Sequence, residues 1–229
     1  MKPIFKPQTE WLPPESFPDL SKYDEIAIDL ETKDPELKTM GSGSVTGKGN
    51  IVGIAVAVHN WKGYYPIAHE GGGNMDKSMV LKWFQDVLNT EATKIFHNAM
   101  YDVCFIKATG LNISGEIVDT MIAGSLVDEN RFRYDLGSMG RDYLGIGKNE
   151  AVLKETADLW GVDAKSEMYK LPAMYVGEYA EQDAELTLKL WQEMKKQMYH
   201  EDVEDIFKLE TELFPCLVDM RFLGVRVDT

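Results

Sequence analysis

Residues 26–32, Ile-Ala-Ile-Asp-Leu-Glu-Thr, restrict the possible folds of this 229-residue chain more than any other stretch. Apolar and β-branched residues ahead of the acids mark a strand. Side chains alternate across a strand, so Asp29 and Glu31 project from one face. Two carboxylates held together raise each other's pKa unless a cation lies between them, and a hard divalent metal suits such a pair. Taken alone, the pair fits a strand end whose acids face water equally well.

The flanking sequence predicts a sheet around that strand. Asn50 to Val58, nearly continuous in Val, Ile and Ala, reads as a second strand. Gly63 to Ile67 reads as a third, reached through a turn at His59-Asn60-Trp61-Lys62, so the three form an antiparallel meander. Met75 to Asn89 reads as a helix capped by Asn74 or Asp76 that buries Val80, Trp83, Phe84, Val87 and Leu88. Thr93 to His97 is expected as a strand parallel to the first, and Ile117 to Val118 as a short last strand. The remainder is expected to be helical.

Two further stretches place acids against this frame. After Thr93 to His97 the chain turns helical with Val103, Phe105 and Ile106 apolar. Asn98 stands at the junction as a candidate N-cap, and Asp102 lies one turn on. That edge of an α/β sheet is where sites gather. From about Ala173 to Tyr199, Val176, Ala180, Thr187, Leu190, Trp191 and Met194 recur with helical period. Tyr179 and Asp183, four apart, stack at the edge of that stripe. A buried aspartate there needs a partner, which a metal ion would supply; a local Asp–Tyr hydrogen bond at the rim is an equal reading of the helix alone.

The order D-x-E, N-x3-D, Y-x3-D resembles the DEDD superfamily of 3′–5′ exonucleases, in the subclass with tyrosine in the third motif. Asp29, Glu31, Asp102 and Asp183 match the four acids and Tyr179 the tyrosine. Ile117-Val118-Asp119-Thr120 and Arg133-Tyr134-Asp135-Leu136-Gly137-Ser138-Met139 are similar to the proofreading domain of family A DNA polymerases. The resemblance implies an α/β, ribonuclease-H-like mixed sheet, three antiparallel strands then two more, flanked by helices. It implies two divalent ions, Mg²⁺ or Mn²⁺, held by Asp29, Glu31, Asp102 and Asp183, with Tyr179 orienting the attacking water. The expected reaction is removal of nucleotides from the 3′ end of single-stranded DNA. Leu30, Thr32 and Asn98 are expected at the substrate under the same resemblance. Arg131 and Arg133 are expected either on its phosphates or in surface salt bridges, with Phe132 stacking on a base. Asp119 reads as a structural helix cap.

The domain reading is an extended arm at 1–20, an exonuclease domain at 21–203, and at 204–229 a segment that resembles the start of the connection to the polymerase domain in that family. The resemblance implies an amino-terminal fragment of a phage-type family A polymerase, with a natural truncation or a free-standing exonuclease as alternatives. A ribonuclease D-like exoribonuclease, or a nucleic-acid-binding module with weak chemistry, are the rival readings.

Composition fits one domain with a sizeable core, at 44% hydrophobic residues. Cys104 and Cys216 make no metal spacing and are expected as buried free thiols. There is no signal peptide and no membrane-spanning run, so a monomer in the cytoplasm, the host's if phage-encoded, is expected. The net charge of −14 opposes long-range attraction of DNA, which predicts weak, salt-sensitive binding. Gly41 to Gly49 looks superficially like a phosphate loop, but Gly49 follows Lys48 where Ser or Thr is needed. It is expected to be a mobile connection.

Overall fold

The structure is a computed structural model and describes residues 8–228; the first seven residues of the expected arm lie outside the described residues. Five strands, β1 (Glu25–Lys33), β2 (Asn50–Val58), β3 (Trp61–Pro66), β4 (Thr93–Phe96) and β5 (Ile117–Asp119), form one sheet in the order β3-β2-β1-β4-β5. β1, β2 and β3 pair antiparallel, while β4 and β5 run parallel to β1. This is the mixed α/β sheet that the sequence predicts. Between the strands come α1 (Leu37–Met40), α2 (Gly43–Thr46), α3 (Lys77–Leu88) and α4 (Ala99–Ala108). After β5 come α5 (Thr120–Val127), α6 (Leu136–Leu144), α7 (Ala151–Trp160), α8 (Gly177–His200) and α9 (Glu204–Leu223).

Strand alternation sorts two cores. Ile26, Ile28 and Leu30 face one side, packed with Phe84, Leu88, Phe105 and Ile106 of α3 and α4 and with Phe214 and Val218 of α9. Ala27 faces the other side, with Ala55, Ala57 and Tyr64, against Ala180, Ala184, Leu190 and Met194 of α8. The alanines on both surfaces let the long helix lie close to the sheet. Each fully buried Ile, Leu or Phe contributes roughly 1.5–3 kcal/mol, so these two layers fix where α8 sits. Asp29 and Glu31 share the parity of Ala27 and therefore face α8.

Several local expectations shift. β3 starts at Trp61 rather than Gly63, because Asn60 adopts a left-handed φ of 63° and closes a two-residue turn. Asp76, not Asn74, caps α3 by accepting from Met79 N; the Asn74 side chain bonds the His69 backbone instead. The helix expected from Ala173 begins as a 3₁₀ turn (Ala173–Tyr175), with α8 proper from Gly177. Cys104 is buried, but Cys216 is exposed on the outer side of α9.

The glycine segment is not a loose connection. Asp34 accepts from Gly43 N at 3.1 Å, and Gly49 N donates to Gly43 O at 3.1 Å. A Cβ on Gly43 would lie 2.6 Å from the Gly49 backbone, so glycine is required for this close approach. Lys48 pairs with Glu36 at the surface. From residue 8 to Leu20 the chain has no helix or strand, yet its aromatic side chains are anchored. The Trp11 indole donates to Glu181 at 2.9 Å, and Phe17 stacks on Tyr65.

Candidate active site

The carboxyl end of β1 brings the acids together. Asp29 and Glu31 lie on the face of β1 turned toward α8 and are partly accessible, while Asp102 and Asp183 are 5% and 4% exposed. Tyr179 sits one turn before Asp183 on the same side of α8 and is partly buried. All five residues singled out from sequence therefore meet in one place, although they come from three segments far apart in the chain.

Their electrostatics reflect crowding. Burial, then the charge of Asp183, pushes the Asp29 carboxyl up to about 7, with Lys148 opposing. Burial and the neighbouring acids push Glu31 and Asp102 well above the usual carboxylate range, and burial raises Asp183. The Tyr179 phenol is pushed well above its ordinary value, first by burial and then by Asp183, so it stays protonated at neutral pH. Among the described residues no three acids, histidines or cysteines are already closed around a cation-sized point. The donor set nonetheless fits a hard divalent cation. All donors are carboxylate oxygens, Asp183 Oδ1 is buried without a hydrogen-bond partner, and each acid disfavours ionisation of the next.

The junction between β4 and α4 corrects the reading of Asn98. Its φ of 67° is left-handed, its side chain is exposed, and it makes no capping bond. Asp119 does the capping for two helices. Its carboxylate accepts from Asn98 N at 2.9 Å and Ala99 N at 2.7 Å at α4, and from Met121 N at 2.8 Å at α5. The structural role expected for Asp119 thus reaches further than one helix, and it leaves the exposed Asn98 side chain without a capping bond.

The other expected contacts divide. The Leu30 side chain is buried in the opposite core, and its backbone amide lies close enough to Asp102 to favour the charged form of that carboxyl, against the larger effects of burial and the neighbouring acids. The Tyr101 hydroxyl donates to Asp34 at 3.1 Å, so Thr32 Oγ1, 2.9 Å away, is the donor to Tyr101. Arg131 is held by Asp142 at 2.6 Å and lies 5.1 Å from the Tyr143 ring centroid, which favours its salt-bridge reading. Phe132 is fully exposed, and Arg133 is exposed beside it.

Sequence reading missed Lys148, whose ammonium lies 2.6 Å from Asp183 Oδ2 and 3.4 Å from the Tyr179 hydroxyl. No periodicity or spacing signals it, since the contact spans 35 positions. A groove of about 820 Å³ lined by Tyr23, Trp61 and Gln192 contains none of the five residues. Two of its lysines, Lys62 and Lys189, share the single carboxylate of Glu185. Chemistry, not cavity size, marks the site.

Known proteins place this geometry. A DNA-directed DNA polymerase of Pseudomonas phage M6 is 33% identical over 96% of this chain and 34% of its own length. The chain spans about a third of the length of the phage polymerases it matches. The fold is similar to Brucella melitensis NrnC with bound Mg²⁺ (TM-score 0.64, 16% identity, covering 90% of this chain and 89% of that one). It is also similar to Escherichia coli RNase D, an exoribonuclease (TM-score 0.60, 15% identity, covering 90% and 47%). A family model described as 3′–5′ exonuclease matches residues 6–199, and the chain belongs to that family.

Proposed function

We propose that this chain removes nucleotides from DNA 3′ ends as the proofreading nuclease of a phage-type family A DNA polymerase. The observation that carries this reading is the convergence of Asp29, Glu31, Asp102 and Asp183 beside Tyr179 at one edge of the sheet. The polymerase assignment draws support from the phage relative, a DNA-directed DNA polymerase.

The four carboxylates would hold two divalent ions, Mg²⁺ or Mn²⁺; Mg²⁺ is bound in the fold relative NrnC. Such ions, when bound, supply charge neutralisation at the phosphate and a water acidified enough to attack it. The chain's own groups do the rest. Tyr179, with its proton retained, orients the attacking water through its hydroxyl and is too weak a base to remove a proton at neutral pH. The exposed Asn98 amide would hydrogen-bond the terminal nucleotide, and the backbone around Leu30 and Thr32 would lie beneath it. Phe132, exposed between Arg131 and Arg133, would stack on a base, with Arg133 on the phosphates. With a net charge of −14, the chain would bind DNA weakly and lose that binding as salt rises.

The domain limits we propose are an arm at 1–20, the nuclease at 21–203, and a segment at 204–229 leading toward a polymerase domain. α9 supports a partner on its outer side, where Ile206, Leu209, Leu213, Leu217 and Met220 form one exposed apolar stripe. Among the described residues no helix is long and apolar enough to cross a membrane. We place the protein in the host-cell cytoplasm as a monomer.

An exoribonuclease is the rival, favoured by the likeness to RNase D. The test is incubation with 5′-labelled single-stranded DNA and the matching RNA in Mg²⁺, Mn²⁺ or EDTA. A metal-dependent ladder shortening from the DNA 3′ end is expected. Faster trimming of RNA would move the assignment to the rival.

A further inference from the structure

Lys148 brings a cation into the acidic cluster from outside the three acid-bearing segments. It lies between α6 and α7, on a stretch that turns at Gly145 with φ of 68° and is tied down on both sides. Ile146 N donates to Gly140 O at 3.1 Å, and Asn149 N donates to Gln182 of α8 at 2.9 Å. From that tether the side chain reaches inward. Its ammonium donates to Asp183 Oδ2 at 2.6 Å and sits 5.3 Å from the Tyr179 ring centroid, with the side chain only 17% exposed. The other oxygen of the same carboxylate, Oδ1, is buried with no partner.

Such an arrangement is half satisfied. A buried carboxylate with one oxygen on an ammonium and one bare is costly, and so is a cluster of four acids sharing one positive charge. A lysine is also the cation best suited to leave, being a compact charge on a flexible stem with rotatable donors. A divalent ion entering the cluster would take the same oxygens and repel the ammonium at close range.

We propose that Lys148 is a built-in counter-ion of the metal-free site, holding Asp183 until a divalent cation displaces it. The proposal rests on the reading of the four acids as metal ligands. The alternative is a permanent ion pair that stays in place beside the metal. The two differ in where the ammonium is when metal is bound.

The test is pulse acetylation of the whole chain, with mass spectrometry of the Lys148 peptide, in EDTA and in saturating Mn²⁺. Mn²⁺ binding is followed separately from the paramagnetic resonance of the free ion. Lys148 should be protected in EDTA and labelled several-fold faster with Mn²⁺, while buried Lys94 stays protected in both. Lys148→Met should bind Mn²⁺ about tenfold more tightly, within the range of coupling between competing ligands. Lys148→Arg, which keeps a cation at the site, should bind no more tightly than the unaltered chain. Protection of Lys148 with Mn²⁺ bound, or no gain in affinity for Lys148→Met, would overturn the proposal. Asp29→Ala separates the two levels, since it should abolish both Mn²⁺ binding and the labelling change. If the unaltered chain binds no Mn²⁺, or Asp29→Ala binds it as well as the unaltered chain, the metal-site reading itself falls.

Discussion

The two ends of the central strands bury charge in opposite ways. At the amino end of β4, Lys94 is fully buried, and its ammonium donates to the carbonyls of Thr90, Ala92 (2.9 Å) and Ser114 (2.8 Å). All three of its protons are used, in a closed structural cap over the loops that enter β4 and β5. At the carboxyl end, four acids share Lys148, and one buried oxygen is left bare. One end has as many partners as it needs. The other has too few, and that deficit, rather than burial as such, sets the candidate site apart from the closed end of the sheet.

The sharpest way to break this comparison is to remove one acid and read activity. Asp29→Ala should lower exonuclease turnover by roughly 10³-fold or more, the scale on which loss of a preorganised charge group acts. Tyr179→Phe should cost about 10²-fold, as loss of positioning alone does. Single-turnover rates on labelled single-stranded DNA read both, and equal losses would contradict the division of roles. Stability should show the reverse contrast between the ends. Lys94→Met strands three carbonyls and should cost about 2–3 kcal/mol in urea unfolding. Asp29→Asn, measured in EDTA at pH 8, should stabilise by about 1 kcal/mol, because it removes a charge that its neighbours disfavour. If both variants destabilise, the acidic end is not the strained one.

Much of this was legible in the sequence because it is local or periodic. The Asp29–Glu31 face follows from strand alternation, and the Tyr179–Asp183 stack from helical spacing, so both appear where expected. The meander was legible from the apolar run of β2 and its turn. What stayed hidden depends on distant partners. Asn98 has the composition of an N-cap, but Asp119, 21 positions away, supplies the carboxylate, and Asn98 takes a left-handed turn instead. Glycine content suggested a mobile segment at 41–49, yet the close approach of Gly43 and Gly49 beside Asp34 is what those glycines permit. Cys216 looked like a core thiol by residue type, while the register of α9 turns it outward. Lys148 had no signal at all, since a single lysine in an irregular stretch has no period to betray its direction.

The smallest expected effect is also the one that tests both ends at once, through the pH dependence of stability without metal. Asp29 titrates near 7 in the folded chain, raised by burial and by Asp183, against about 3.9 when unfolded. Over that interval the folded state binds more protons, so this contribution is complete below about pH 4 and is lost as pH rises through about 7. Lys94 has the opposite sign. Burial lowers its ammonium to about 8 from an unfolded value near 10.4, so between those values the unfolded state holds more protons and stability gains with rising pH. Thermal unfolding in EDTA should therefore weaken from pH 5 to 7.5, by a few degrees, then flatten or recover above 8. Asp29→Asn should remove the share of the first slope that Asp29 carries, leave the share carried by Glu31 and Asp102, and leave the second slope intact. Excess Mn²⁺ should reverse the first slope as well, because the ions bind the ionised acids and displace their protons. A profile that is flat in EDTA, or one that Asp29→Asn leaves unchanged, would mean that the acids are not crowded enough to resist ionisation, and the contrast between the two ends of the sheet would fail at its origin.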